Sequence, residues 1–161
     1  MTTERTEPRN LTDIHAALGR MVYQAASLES VIRFTGEMLA KNEQEAKDLA
    51  GKTAGTLFPA VATIVARRPG ITPEERGQFA AIVADAKPHL TSRNTYIHGG
   101  WGEPDGVLVA MNRRRNDFRM RPLSVADLDT LSAAFLALVN RVFEWLVPVM
   151  ERTHMGTAST E

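Results

Sequence analysis

Apolar residues recur at steps of three and four from the first patterned stretch of the chain: Leu11, Ile14, Leu18, Met21, Ala25, Leu28, Ile32, Thr35 and Leu39. A seam sustained over four heptads belongs to a long helix packed in a bundle or coiled coil. The same spacing returns near the other end in Leu128, Leu131, Phe135, Leu138, Val142, Trp145 and Val149, behind a Ser124–Asp127 start signal and with a late kink at Pro148. Long helices over about 11–40 and 124–150 follow.

Two shorter helices lie between. Leu57, Ala60, Val61, Ile64 and Val65 define one, interrupted by Gly51, Gly55 and Pro59 and ended before Pro69-Gly70. Residues 41–48 read as a solvated connection or a frayed helix end. Thr72-Pro73-Glu74-Glu75 starts the next helix, because threonine caps, proline suits the first turn and Glu75 completes a capping box. Phe79, Ile82, Val83, Ala86 and Leu90 form its stripe, with a kink or restart at Pro88, and Gly99-Gly100 closes it at His98. After Pro104-Asp105-Gly106 the period changes. Val107–Met111 and Phe118–Arg121 flank an arginine-rich turn, which predicts a β-hairpin over about 107–121. The fold class is therefore all-α: a four- to five-helix up-down bundle with a small β-hairpin insert before the last helix. Residues 1–10 and 153–161 are polar and expected to be disordered, leaving 11–152 as one domain.

Composition narrows the chemistry. The chain has no cysteine, so disulfides and thiolate sites are excluded. His15, His89 and His154 stand apart from carboxylates at ligand spacing, so neither a metal nor another cofactor is expected. Gly51-Lys52-Thr53 resembles the end of a P-loop, but position 46 is Ala46 where that motif needs glycine. No apolar run reaches a membrane span and no leader is recognisable, which predicts a cytoplasmic protein without membrane contact. Formal net charge is zero, which argues against a general nucleic-acid coat. Even so, Arg113, Arg114, Arg115, Arg119 and Arg121 crowd around the hairpin tip. There they either hold an RNA backbone or form a solvated loop that blocks edge pairing.

The densest chemistry lies in Arg93-Asn94-Thr95-Tyr96-Ile97-His98, followed by Gly99-Gly100-Trp101. Continuing the stripe of this helix lands on Arg93 and Ile97, so Arg93 should face the packed side. Arginine presents a rigid fork of donors matched to phosphate, and histidine exchanges protons near neutrality. Five residues along an α-helix turn through about 140°, so the two side chains diverge unless the helix unwinds or a second chain completes the site. Read from spacing alone, a buried Arg93 paired with a carboxylate and a His98 at a helix end remain the alternative.

Arginine, a polar residue, three more and then histidine resembles the signature of the HEPN superfamily of small helical proteins, many of them ribonucleases. That resemblance implies a bundle with the motif closing its third helix, and a homodimer whose two motifs face one groove. It implies metal-independent endoribonuclease activity with Arg93, His98 and Asn94 as catalytic residues. The family also includes non-catalytic members that bind RNA or nucleotides, and toxins silenced by an antitoxin-type partner. A binding or dimerisation module is therefore the competing reading, with a ligand-free scaffold third. Around the motif, Glu29 lies on a stripe flanking the first seam, where a half-buried carboxylate needs a partner such as Arg93. Tyr96 is a hydrogen-bond donor or a packing residue, and Trp101 either stacks on a base or covers the bundle end.

Overall fold

The computed structural model describes residues 11–104, 107–114 and 117–155. Its elements are α1 (Leu11–Leu39), α2 (Glu43–Lys47), α3 (Ala54–Arg67), α4 (Pro73–His98), β1 (Gly100–Gly102), β2 (Val109–Arg114), β3 (Asp117–Pro122) and α5 (Val125–Met155). The chain folds as a helical bundle with a small antiparallel sheet inserted before the last helix.

Local chemistry sets the helix starts. The Thr72 hydroxyl accepts from the Glu75 N–H at 3.3 Å while Glu75 Oε2 accepts from the Thr72 N–H at 2.8 Å, the reciprocal capping box. Ser124 accepts from the Asp127 N–H at 3.1 Å at the head of α5. Asn42 does the same for Glu45 at 2.9 Å, which turns part of the polar 41–48 connection into the single turn of α2. Pro88 does not divide α4, which runs unbroken from Pro73 to His98. Pro88 and Ala84, whose carbonyl the proline leaves without its usual helical donor, are both exposed. At its other end α5 continues through Thr153, whose hydroxyl donates back to the Val149 carbonyl at 2.9 Å.

Both predicted seams are buried. Met21, Leu28 and Ile32 of α1 meet Leu128, Phe135 and Val142 of α5 in the core, all fully shielded from solvent. Gly36 marks a close crossing of α1 with the chain around α3. A Cβ placed there would lie 2.7 Å from Val61 Cγ2 and 2.6 Å from Leu49 Cδ1. The stretch Val125–Thr153 is long and apolar enough by length and composition to cross a membrane, with a mean hydropathy of 1.5. In the bundle its apolar stripe is the main partner of α1.

Cross-helix pairs fix the directions. Arg152 meets Glu75, Arg141 meets Asp85 and His89 meets Phe135, so α4 and α5 are antiparallel. Arg20 of α1 bonds Asp129 of α5 at 2.7 Å, and Tyr23 and Phe34 share a groove with Leu136 and Phe143, so α1 and α5 run the same way. Arg76 reaches the Arg68 carbonyl across the short α3–α4 turn, where Gly70 takes a φ of +83°. α3 is thus antiparallel to α4 and parallel to α1. The order is consequently not strictly alternating, because residues 40–53 carry the chain back along the bundle before α3 begins. Arg33 straps that return segment to α1, donating to the Lys52 carbonyl at 2.8 Å and to the Leu49 carbonyl.

The sheet closes the end of the bundle where α4 stops. β2 and β3 form the predicted hairpin, with Val109 opposite Pro122 and Met111 opposite Met120. β1 adds a third strand, with Trp101 opposite Ala110. Gly99 has ordinary extended backbone angles, so its role is clearance: a Cβ there would sit 2.6 Å from the Met111 carbonyl oxygen.

Candidate active site

The last turns of α4 carry the motif. The Arg93 side chain is 22% exposed, wedged between α4 and α1. Its Nη2 meets Glu29 Oε1 at 3.2 Å, and its Nη1 donates to Asn94 Oδ1 at 3.0 Å. Glu29 is likewise 22% exposed, so the pair is shielded and each charge depends on the other. A carboxylate oxygen and an amide oxygen thus hold the guanidinium in one orientation, while the buried Arg93 Nε finds no partner among the described residues. Asn94 acts on the arginine, not on His98.

α4 remains helical through His98, and the Gly99 N–H still bonds the Thr95 carbonyl at 3.0 Å. No unwinding rotates His98 back toward Arg93. The two side chains therefore diverge by about 140° within one chain. His98 is exposed, and its imidazole has no partner among the described residues. His98 and Arg93 stand on different faces of the same helix.

Tyr96 and Trp101 serve the bundle end. Tyr96 is buried, and its hydroxyl donates to the Pro122 carbonyl at 3.3 Å, joining α4 to the end of β3. Burial raises the phenol above its ordinary pKa of 10.0, nearby Asp127 adds to the rise, and Arg121 opposes it. The half-buried Trp101 indole donates to the Tyr96 carbonyl at 3.1 Å and stacks on His15 of α1 with ring centroids 6.0 Å apart. Both hold the sheet against the helices. Among the predicted arginines, Arg121 binds Ser92 on α4 at 2.7 Å and ties β3 to the motif helix. Arg113 and Arg114 lie in β2 and Arg119 in β3, with side chains outside the described residues; Arg115 lies outside them altogether.

One feature escaped the sequence. Between α3 and α4 lies a cavity of about 370 Å³ that Arg93 and Asn94 line and His98 does not. Lys87 and the first residues of α3 also border it. The sequence signal was present but weak: Lys87 and Asn94 are seven residues apart, two turns along one helix face. Nothing in the pattern placed the start of α3 beside them. Among the described residues, no group of three histidine, aspartate or glutamate side chains is arranged to hold a metal ion.

No family model matches the chain, and no curated protein or solved structure is significantly similar to it.

Proposed function

We propose that the protein is a metal-independent endoribonuclease of the HEPN type, acting as a homodimer in the cytoplasm, with a toxin or a defence or stress effector as its setting. The observation that carries this reading is one helix end bearing both an arginine oriented by Glu29 and Asn94 and an exposed His98 without a partner among the described residues. Because the two side chains diverge, the catalytic unit is two chains meeting at this end, so that His98 of one serves Arg93 of the other. In that arrangement one His98 takes the proton from a ribose 2′-hydroxyl as its oxygen attacks phosphorus. The second His98 delivers a proton to the departing 5′-oxygen, and Arg93 neutralises the crowded phosphate. The products are a 2′,3′-cyclic phosphate and a 5′-hydroxyl. The hairpin arginines Arg113, Arg114, Arg115 and Arg119 extend the phosphate contacts, and an antitoxin-type partner silences the activity.

A non-catalytic RNA- or nucleotide-binding module is the second reading. The cavity beside Arg93, which His98 does not line, favours it. Labelled single-stranded RNA incubated with the purified protein in EDTA decides between the two. Cleavage that falls at least about 100-fold in His98→Ala, with the fold intact, supports the nuclease. RNA bound but uncut leaves the module, and equal cutting by His98→Ala removes His98 from the reaction.

A further inference from the structure

The α3–α4 cavity has the make-up of a binding site for a small amphipathic anion. Its lining carries several hydrogen-bond donors and no acid. Lys87 is exposed and its ammonium has no partner among the described residues. Arg93 contributes a guanidinium held in place by Glu29 and Asn94. Asn94 spends its oxygen on Arg93, which leaves its amide nitrogen free to donate. Beside them are the Ala54 and Gly55 amides at the start of α3, where the Thr53 side chain makes no capping bond and the first turn has no acid. The rest of the wall is mostly apolar, formed by Phe58, Pro59, Val83 and Leu90, with Thr91 beside them donating its hydroxyl proton to the Lys87 carbonyl at 3.0 Å. At about 370 Å³ the space lies within the range of small-molecule sites.

Charge sets the ligand class. Glu29 offsets Arg93, leaving Lys87 and the positive end of α3 as the net field, which suits a single phosphate group and not a polyphosphate. The apolar wall asks for a flat or aliphatic body attached to that phosphate. We infer that the cavity binds a phosphate monoester or diester carrying one apolar or planar group, with Lys87, Arg93, Asn94 and the first amides of α3 on the phosphate and Phe58 and Leu90 against the body. The site shares Arg93 with the cleavage reading, but it is complete in one chain and needs no proton transfer.

Binding is therefore read without turnover, so its failure is separate from failure of the nuclease. Calorimetric titration of the full chain with phenyl phosphate, inorganic phosphate and phenol should give saturable binding of phenyl phosphate below about 10 mM, with the other two at least about tenfold weaker. Lys87→Ala removes the free cation. Gly55→Leu places a side chain at the cavity wall, where a Cβ meets no atom within 4 Å, and it improves helix propensity. Each variant should keep the parent melting temperature or exceed it, and each should lose at least about tenfold in affinity. No binding at about 10 mM, unchanged affinity in both variants, or inorganic phosphate binding as tightly as phenyl phosphate would overturn the site. A final arm assigns the source. If single-stranded RNA displaces phenyl phosphate, the pocket anchors one nucleotide of a strand; if it does not, the pocket serves free phosphate esters.

Discussion

Arg93 shows why a residue's position on a stripe says more than its identity. Its place on the apolar face of α4 implied burial, burial implied a counter-charge, and Glu29 on the flank of the first seam is where that charge lies. The role of Asn94 was not legible, because whether an amide serves its neighbour or a residue one turn on depends on rotamers that spacing does not set. From sequence, Tyr96 offered a hydroxyl and Trp101 a stacking face to a ligand, and each could equally serve packing. The structure engages the polar tip of each with a backbone carbonyl. Tyr96 supplies a test at this scale. Burial first, and Asp127 second, disfavour its phenolate, while Arg121 acts the other way. In a Tyr23→Phe variant Tyr96 is the only tyrosine, and its absorbance titration at 295 nm should show a midpoint above the ordinary value of 10.0. Since the folded value is the raised one, the neutral phenol's contribution to stability holds below about pH 10 and fades above it. A midpoint at or below 10.0 would contradict the buried placement.

Elements were legible in proportion to their length. Two long seams stand out from any background of chance apolar residues, and a capping box names its helix start outright. β1 was invisible for the opposite reason, since three residues of Gly-Trp-Gly hold no alternation to read. Glu75 concentrates the element-scale energetics. Its carboxylate accepts from the Thr72 N–H and hydroxyl and pairs with Arg152 of α5 at 2.6 Å, so one side chain both starts α4 and ties it to α5. Burial pushes its pKa up, but the Thr72 and Arg152 bonds outweigh that and hold it below 4.5. A depressed folded value means stabilisation that is present above the unfolded pKa and lost as pH falls through the folded one. Urea midpoints should therefore place Glu75→Gln below the parent at pH 7, with the gap closing toward pH 3. A gap that stays constant would mean the carboxylate's charge contributes nothing.

At the scale of the molecule, helix number and core followed from patterning, while helix direction did not. Nothing in a polar run such as 41–48 tells whether it turns the chain sharply or returns it along the bundle. The contacts of Arg33 with the return segment are long-range and leave no periodic trace. The regular end of α4 carries the assembly prediction, because only a second chain can bring a His98 to face an Arg93. Light scattering at micromolar concentration should give about twice the 17.7 kDa chain mass. A monomer that persists at high concentration would remove the shared catalytic site and leave the single-chain pocket untouched. The parallel course of α1 and α5 has a practical corollary for handling the protein. Leu11 emerges at the same end as the sheet and the motif, where His15 already leans on Trp101, whereas α5 spans about 46 Å before it reaches Met155 at the opposite pole. A fluorophore attached at the exposed Leu11 will crowd the very surface under study. One attached at the exposed Glu151, in the last turns of α5, sits nearly a full helix length away, which makes those turns the place for labelling.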